Sequence, residues 1–264
     1  METATVNGVD IAYQLQGYGP PIVLLHGIIG DSREWRPQIE DLSRDFTVVA
    51  WNAPGCGQSS DPAETSSLED YVDCLAGLLE FLGAMPAHIT GLSWGGTFAQ
   101  EFYRRRPELV RSLILADTYA GWRGSLPPEI VEERLASCMR ESEMRPEEFV
   151  PKWIPGLLTD LASESLRREV TEIMSDFHPV GYRVMARALA DVDTRDLLPE
   201  IRVPTLLIWG EDDRRAPVSV GKEMCDSIPG ASIVVIPNAG HLSNVEQADQ
   251  FNAAVREFCQ SISN

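Results

Sequence analysis

The stretch Thr90-Gly91-Leu92-Ser93-Trp94-Gly95-Gly96 decides how this chain is read. A short apolar run enters it from Ala87, and a helical pattern leaves it toward Arg106. The serine stands between glycines as G-x-S-x-G. That pattern suits a sharp strand-to-helix turn holding a hydroxyl clear of the backbone. Such a turn brings backbone segments close together and holds the serine in a strained φ/ψ, which the glycines accommodate. A serine hydroxyl is a poor nucleophile at neutral pH. It needs an adjacent base, usually histidine, and the histidine needs a group that fixes its tautomer.

Working outward, the chain alternates strands and helices. Residues 3–16 read as a hairpin, Ala4–Val6 and Ile11–Leu15, with Asn7-Gly8 near the turn. The continuous apolar run Pro21–His26 has the pattern of a strand buried on both faces and ends in a His26-Gly27 turn. Asp31 or Ser32 can cap the next helix, which carries Trp35, Ile39 and Leu42. Phe46–Trp51 reads as another buried strand, followed by a turn-rich loop from Asn52 to Ser59. Leu68–Leu82 has helical periodicity, with Ser66 or Ser67 as cap and Gly83 at the C-terminal stop. Ala87–Leu92 is the strand leading to Ser93, and Val110–Ala116 is the next strand. This rhythm predicts a mostly parallel sheet with helices on both faces.

From residue 118 to 196 no buried strand is visible. Helical patterns cover Glu129–Met139, Pro146–Trp153, Ser165–Met174 and Val180–Leu189, punctuated by prolines. This is far longer than an ordinary connection, so it reads as a helical insert in a core made of residues 1–117 and 197–264. Met139, Met144, Met174, Met185, Trp122, Trp153 and Phe177 either line a cavity or pack the insert onto the core. Trp122, Trp153 and Met185, with His26, are the candidates for a substrate pocket. Beyond the insert, Val203–Trp209 and Ser232–Ile236 read as strands, and Val245–Ile262 as a closing amphipathic helix.

The loops at the carboxyl ends of parallel strands gather on one edge, where ligands bind. Ser93, Asp212, Asp213, His241 and His26 all follow strands. Of the four histidines, His88 starts a strand and reads as structural, and His178 lies in the insert, where surface or packing roles are simplest. That leaves His26 and His241, and the order Ser93, then an aspartate after a later strand, then His241 is the Ser…Asp…His order that makes His241 the base. Asp212 and Asp213 are neighbouring candidates for the acid, and Asp117 is a third, most simply a cap or loop hydrogen-bond partner. Backbone amides of Trp94 and Ile28 are the candidate oxyanion donors.

His26-Gly27, Pro54-Gly55-x-Gly57-x-Ser59, Gly91-x-Ser93-x-Gly95-Gly96, Gly210-x-x-Asp213-x-x-x-Pro217 and Gly240-His241 together resemble the α/β-hydrolase superfamily over nearly the whole chain. The resemblance implies the α/β-hydrolase fold with a helical cap after the sixth strand. Its Gly-x-x-Asp-x-x-x-Pro register implies Asp213 rather than Asp212 as triad acid. The compact cap and Gly-Leu-Ser elbow look like 3-oxoadipate enol-lactonases and the small esterases near them. Haloalkane dehalogenases and epoxide hydrolases of this fold use aspartate where this chain has Ser93. Carbon–carbon hydrolases often carry Gly-Asn-Ser where this chain has Gly-Leu-Ser. The loop after the second buried strand carries Asn52 where aspartate is common.

The expected function is therefore serine hydrolysis of a small ester or lactone, needing no metal or organic cofactor. The alternatives are carbon–carbon hydrolysis and a non-catalytic binder of the same fold. Arg123, Arg183 and Arg187 either meet a carboxylate on the substrate or are solvated. A net charge of −18 disfavours nucleic-acid and anionic-membrane partners. Five scattered cysteines without C-x-x-C spacing suggest a reducing cytoplasm, and no signal peptide or membrane span is expected. Oligomeric state is not legible.

Overall fold

The computed structural model describes residues 1–262. Its strands are β1 Glu2–Val6, β2 Val9–Gln16, β3 Pro21–Leu25, β4 Thr47–Trp51, β5 Ala87–Leu92, β6 Val110–Ala116, β7 Thr205–Gly210 and β8 Ser232–Ile236. They form one eight-stranded sheet in the order β1-β2-β4-β3-β5-β6-β7-β8. The hairpin β1–β2 and the β2–β4 pair are antiparallel; every pair from β4 to β8 is parallel. The fold is that of an α/β-hydrolase. β5 and β7 are buried along their whole length, which explains their unbroken apolar runs. β1 and β8 are the edge strands, and Val234 and Val235 on β8 are exposed.

The flanking helices are α1 Arg36–Leu42, α2 Leu68–Leu82, α3 Trp94–Arg105, α9 Val218–Ser227, α10 Ser243–Glu246 and α11 Ala248–Ser261. Sequence signals set the ends of α2 on both sides. Ser67 and Asp70 form a reciprocal capping box, and Gly83 closes the helix in the left-handed region at φ 62°. Such a cap is worth about 1 kcal/mol. α3 packs through an aromatic stack: Phe98 lies nearly parallel to Trp51 at 5.4 Å and to Trp94 at 5.1 Å between centroids. The closing helix expected over Val245–Ile262 is broken at Gln247, whose φ of −131° and ψ of 53° separate α10 from α11. Periodicity does not register one non-helical residue.

Between β6 and β7 the described chain forms helices only: α4 Trp122–Ser125, α5 Pro128–Glu141, α6 Pro146–Leu157, α7 Glu164–Ser175 and α8 Pro179–Asp191. α6 runs one turn beyond the expected Trp153 and holds Pro151 and Pro155 inside it. Each proline removes an intrahelical bond. Burial of Phe149, Val150, Ile154 and Leu157 along one face offsets that loss. Side chains tie this region to the core. His178 pairs with Asp61 and bonds the Gly57 carbonyl, Arg36 meets Glu169, and Arg183 and Arg187 both meet Glu64. Arg183 and Arg187 are thus engaged by the core rather than turned to a ligand. No described helix is long and apolar enough to cross a membrane, and the five cysteines form no disulfide.

Candidate active site

The turn from β5 into α3 places Ser93 at φ 54° and ψ −115°, a conformation L residues rarely adopt. The surrounding backbone over-determines it. The Ser93 N–H donates to the Ala116 carbonyl (2.9 Å), and the Ser93 carbonyl accepts from the Thr118 hydroxyl (2.5 Å). The motif glycines are required by contact. A Cβ on Gly95 would collide with the Leu25 carbonyl, and one on Gly91 with the Gly95 carbonyl.

His241 follows β8 and Asp213 follows β7. The Ser93 Oγ lies 2.9 Å from His241 Nε2, and His241 Nδ1 lies 2.8 Å from an Asp213 oxygen. The other Asp213 oxygen accepts from the Arg215 and Ala216 amides at 2.7 and 3.0 Å. An acceptor-only carboxylate at Nδ1 fixes the proton there, which leaves Nε2 as acceptor for the Ser93 hydroxyl. Asp212 is exposed and does not reach the histidine. Asp117 sits nearby but is committed elsewhere: its oxygens accept from the Gly210 N–H (2.8 Å) and the Ser243 hydroxyl (2.5 Å). Burial, together with the neighbouring Asp213 charge, pushes its carboxyl well above the usual range.

The Ser93 hydroxyl faces a cavity. Ile28 and Trp94 border it. The Ile28 N–H has no hydrogen-bond acceptor among the described residues, and the Trp94 N–H opens α3, where amides lack intrahelical partners. Trp122 and Trp153 also line the cavity. Two pocket candidates, His26 and Met185, lie outside this lining. His26 is fully buried behind the turn. Its Nδ1–H donates to the Gly27 carbonyl (2.7 Å) and its Nε2 accepts from the Ala53 N–H (3.0 Å), so both ring nitrogens are spent fastening the loop. Burial lowers its pKa and keeps the ring neutral. Met185 lines an adjoining hollow with Cys56 and Phe177, which shares Ile28, Ile29 and Gly30 with the cavity.

Three charged residues that sequence reasoning passed over also line the cavity: Glu34, Arg134 and Arg215. A signal existed for Arg215, because the Asp213 loop closes through the Arg215 amide. None existed for Arg134, one of several arginines and glutamates on α5. Glu34 accepts from the Gly27 N–H at 3.0 Å and so braces the loop that carries Ile28. Burial raises its pKa to about 8, with Asp31 reinforcing and the Gly27 bond opposing. In the folded chain Glu34 therefore keeps a proton that the unfolded chain has lost, from its ordinary value of 4.5 up to about 8. Stability must fall as pH rises through that window. Glu34→Gln keeps an acceptor for Gly27 and cannot ionise. Its unfolding midpoint in urea should gain on the parent's as pH rises from about 5 to about 8.

Comparison with known proteins fits this geometry. Residues 20–248 match the family model described as alpha/beta hydrolase fold. The chain is 29% identical to a 3-oxoadipate enol-lactonase of Acinetobacter baylyi, over 97% of this chain and 95% of that one. Among solved structures, a thermophilic esterase from Thermogutta terrifontis, with malate bound, superposes with a TM-score of 0.92. It is 29% identical, with 100% of this chain and 99% of that one covered. The enol-lactonase from Burkholderia xenovorans superposes with a TM-score of 0.89 at 27% identity, covering 98% and 100%. Hydrolase chemistry is common to these relatives. A serine turn after β5, a histidine after β8 and a family match spanning both place the chain in one group: it belongs to the alpha/beta hydrolase fold family.

Proposed function

We propose that the protein hydrolyses a small carboxylic ester or lactone through an acyl-enzyme on Ser93. The observation that carries this reading is the unbroken relay from the Ser93 hydroxyl through His241 to Asp213, set at the floor of a cavity. His241 Nε2 takes the Ser93 proton as Oγ bonds to the acyl carbon. Asp213 holds the imidazole in place and stabilises its positive charge. The Ile28 and Trp94 amides receive the oxyanion, each worth about 2.7–4 kcal/mol in related geometries. Collapse of the tetrahedral adduct breaks the acyl C–O bond, and His241 gives its proton to the leaving oxygen. A water, deprotonated by His241, then attacks the acyl carbon and returns Ser93 to its starting state. Residues 118–196 act as a cap whose Trp122 and Trp153 shield the cavity.

The expected result with a fluorophosphonate probe is a single phosphonylated residue, Ser93, identified by peptide mass spectrometry. Prior incubation with a hydrolysable aryl ester should slow the labelling. An intact but unreactive Ser93 would refute the assignment and favour a binding role. A substrate panel of aryl esters, lactones and a ring-cleavage dienoate reads ester, lactone and carbon–carbon hydrolysis side by side.

A further inference from the structure

Arg134 and Arg215 line the same cavity as Ser93. Neither guanidinium forms an ion pair with a carboxylate among the described residues. The chain has 40 acidic and 22 basic side chains, so a carboxylate partner is easy to find, and most of its arginines have one. The Arg215 guanidinium lies 4.1 Å over the Trp153 ring. Stacking covers one face of the fork, and no side-chain hydrogen bond engages its N–H edge. Arg134 stands over Tyr119 and Trp122 at 5.6 and 5.7 Å, and touches the Tyr119 hydroxyl only at 3.4 Å. Burial, and then the neighbouring Arg134 charge, lower the pKa of Arg215. Two like charges sharing a sheltered site without a counter-ion work against folding unless a ligand supplies the missing charge.

The surroundings are arranged in the same sense. Arg134, Arg215, Trp122 and Trp153 also border an adjoining hollow, where Arg140, Lys152 and Arg214 are added. That hollow has five basic side chains against two acidic ones, Glu133 and Glu141, although the whole chain carries −18. Glu141 is further occupied by the Tyr182 hydroxyl at 2.6 Å. Glu34 lines the Ser93 cavity too and also borders a hollow between α7 and the start of α1, with its carboxyl engaged by the Gly27 N–H. The arginine side of the Ser93 cavity thus continues into a hollow where basic side chains outnumber acidic ones, a field that attracts an anion.

Building on the proposed ester hydrolysis, we infer that the substrate carries a second, free carboxylate, held by the Arg134 and Arg215 forks while Ser93 attacks the ester or lactone carbonyl. The substrate class is a monoester of a short dicarboxylic acid, or a lactone bearing a carboxylate. Each fork presents paired N–H donors that match a carboxylate edge, and the ring faces beneath keep the forks in place.

The test uses a matched pair: a monoaryl ester of glutaric acid with its carboxylate free, and the same ester with that carboxylate methylated. Wild-type kcat/KM should favour the free carboxylate by about 10- to 100-fold, the worth of a hydrogen-bonded charge. Arg215→Gln and Arg134→Gln should each lower that preference by about tenfold, chiefly through KM, and the pair together should abolish it. Calorimetric binding of both esters to Ser93→Ala reads the same preference without turnover. A chain that binds the free carboxylate selectively but hydrolyses neither ester would retain this inference and lose the proposed reaction. Competition of glutarate, its dimethyl ester and inorganic phosphate against the wild type needs no arginine variant to fold, and glutarate should compete best. Equal affinity for the two esters, a preference untouched by both substitutions, or phosphate competing as well as glutarate would overturn the assignment.

Discussion

Ser93→Ala is expected to lower ester turnover by about 10⁶-fold while leaving the fold intact. On the proposed mechanism the loss is large because the side-chain oxygen forms the covalent bond, and among the described residues no other hydroxyl touches His241 Nε2. Activity will not vanish altogether. The Ile28 and Trp94 amides would remain, and such donors with substrate binding sustain about 10³–10⁴-fold over water. The fold is expected to survive because alanine keeps the Cβ and the backbone bonds that hold position 93. Those are the amide to Ala116 and the carbonyl from the Thr118 hydroxyl, neither of which involves Oγ. What is removed is the 2.9 Å contact to His241, in a partly exposed site. Such a bond is worth about 1 kcal/mol net. Thermal unfolding should therefore shift by only a few degrees, at roughly 2–4 °C per kcal/mol for a chain of this size. Initial rates on an aryl ester and a melting curve on the same preparation check both halves. Substantial residual turnover would remove Ser93 from the reaction.

The parts of the molecule legible from sequence are those where local pattern and tertiary position coincide. β5 and β7 read as apolar runs because both their faces are covered, and α2 could be bounded because Ser67 and Gly83 are chemical stop signs at its ends. The Ser93 turn was legible because close backbone contacts at Gly91 and Gly95 admit no side chain. The cavity lining was not, since it depends on how far long side chains reach once helices have docked. Arg183 and Arg187 look as available in sequence as Arg134, yet Glu64 happens to lie opposite them. His26 sits in a loop beside the site, but the Ala53 amide claims its outward nitrogen. Met185 differs from Trp153 only in the direction its helix presents it. Glu34 was passed over because a glutamate in a first helical turn ordinarily faces water, and nothing local shows that the Gly27 amide draws it inward.

Asp213 bonds His241 and Asp117 bonds Ser243 two residues further on, and their surroundings predict opposite outcomes on amidation. Asp213→Asn is expected to lower kcat by about 10⁴-fold. The carboxylate now takes two backbone amides on one oxygen and the imidazole N–H on the other. An asparagine would keep its oxygen on the Arg215 and Ala216 amides, where two donors wait, and turn its NH₂ toward His241. Nδ1 would then have to accept, so the ring proton would move to Nε2, and the base would face Ser93 as a donor. Geometry would survive and the proton acceptor would be lost. Asp117→Asn should behave differently. Burial, and then the Asp213 charge, push its carboxyl toward the neutral form, which a neutral amide reproduces. Its oxygen can still accept from Gly210 and its NH₂ can donate to Ser243, whose hydroxyl rotates to suit. A change in kcat of less than about tenfold is expected there. Steady-state rates of the two variants across pH settle the comparison. If Asp117→Asn lost as much as Asp213→Asn, the acid of the relay would have to be assigned to both groups as a coupled pair.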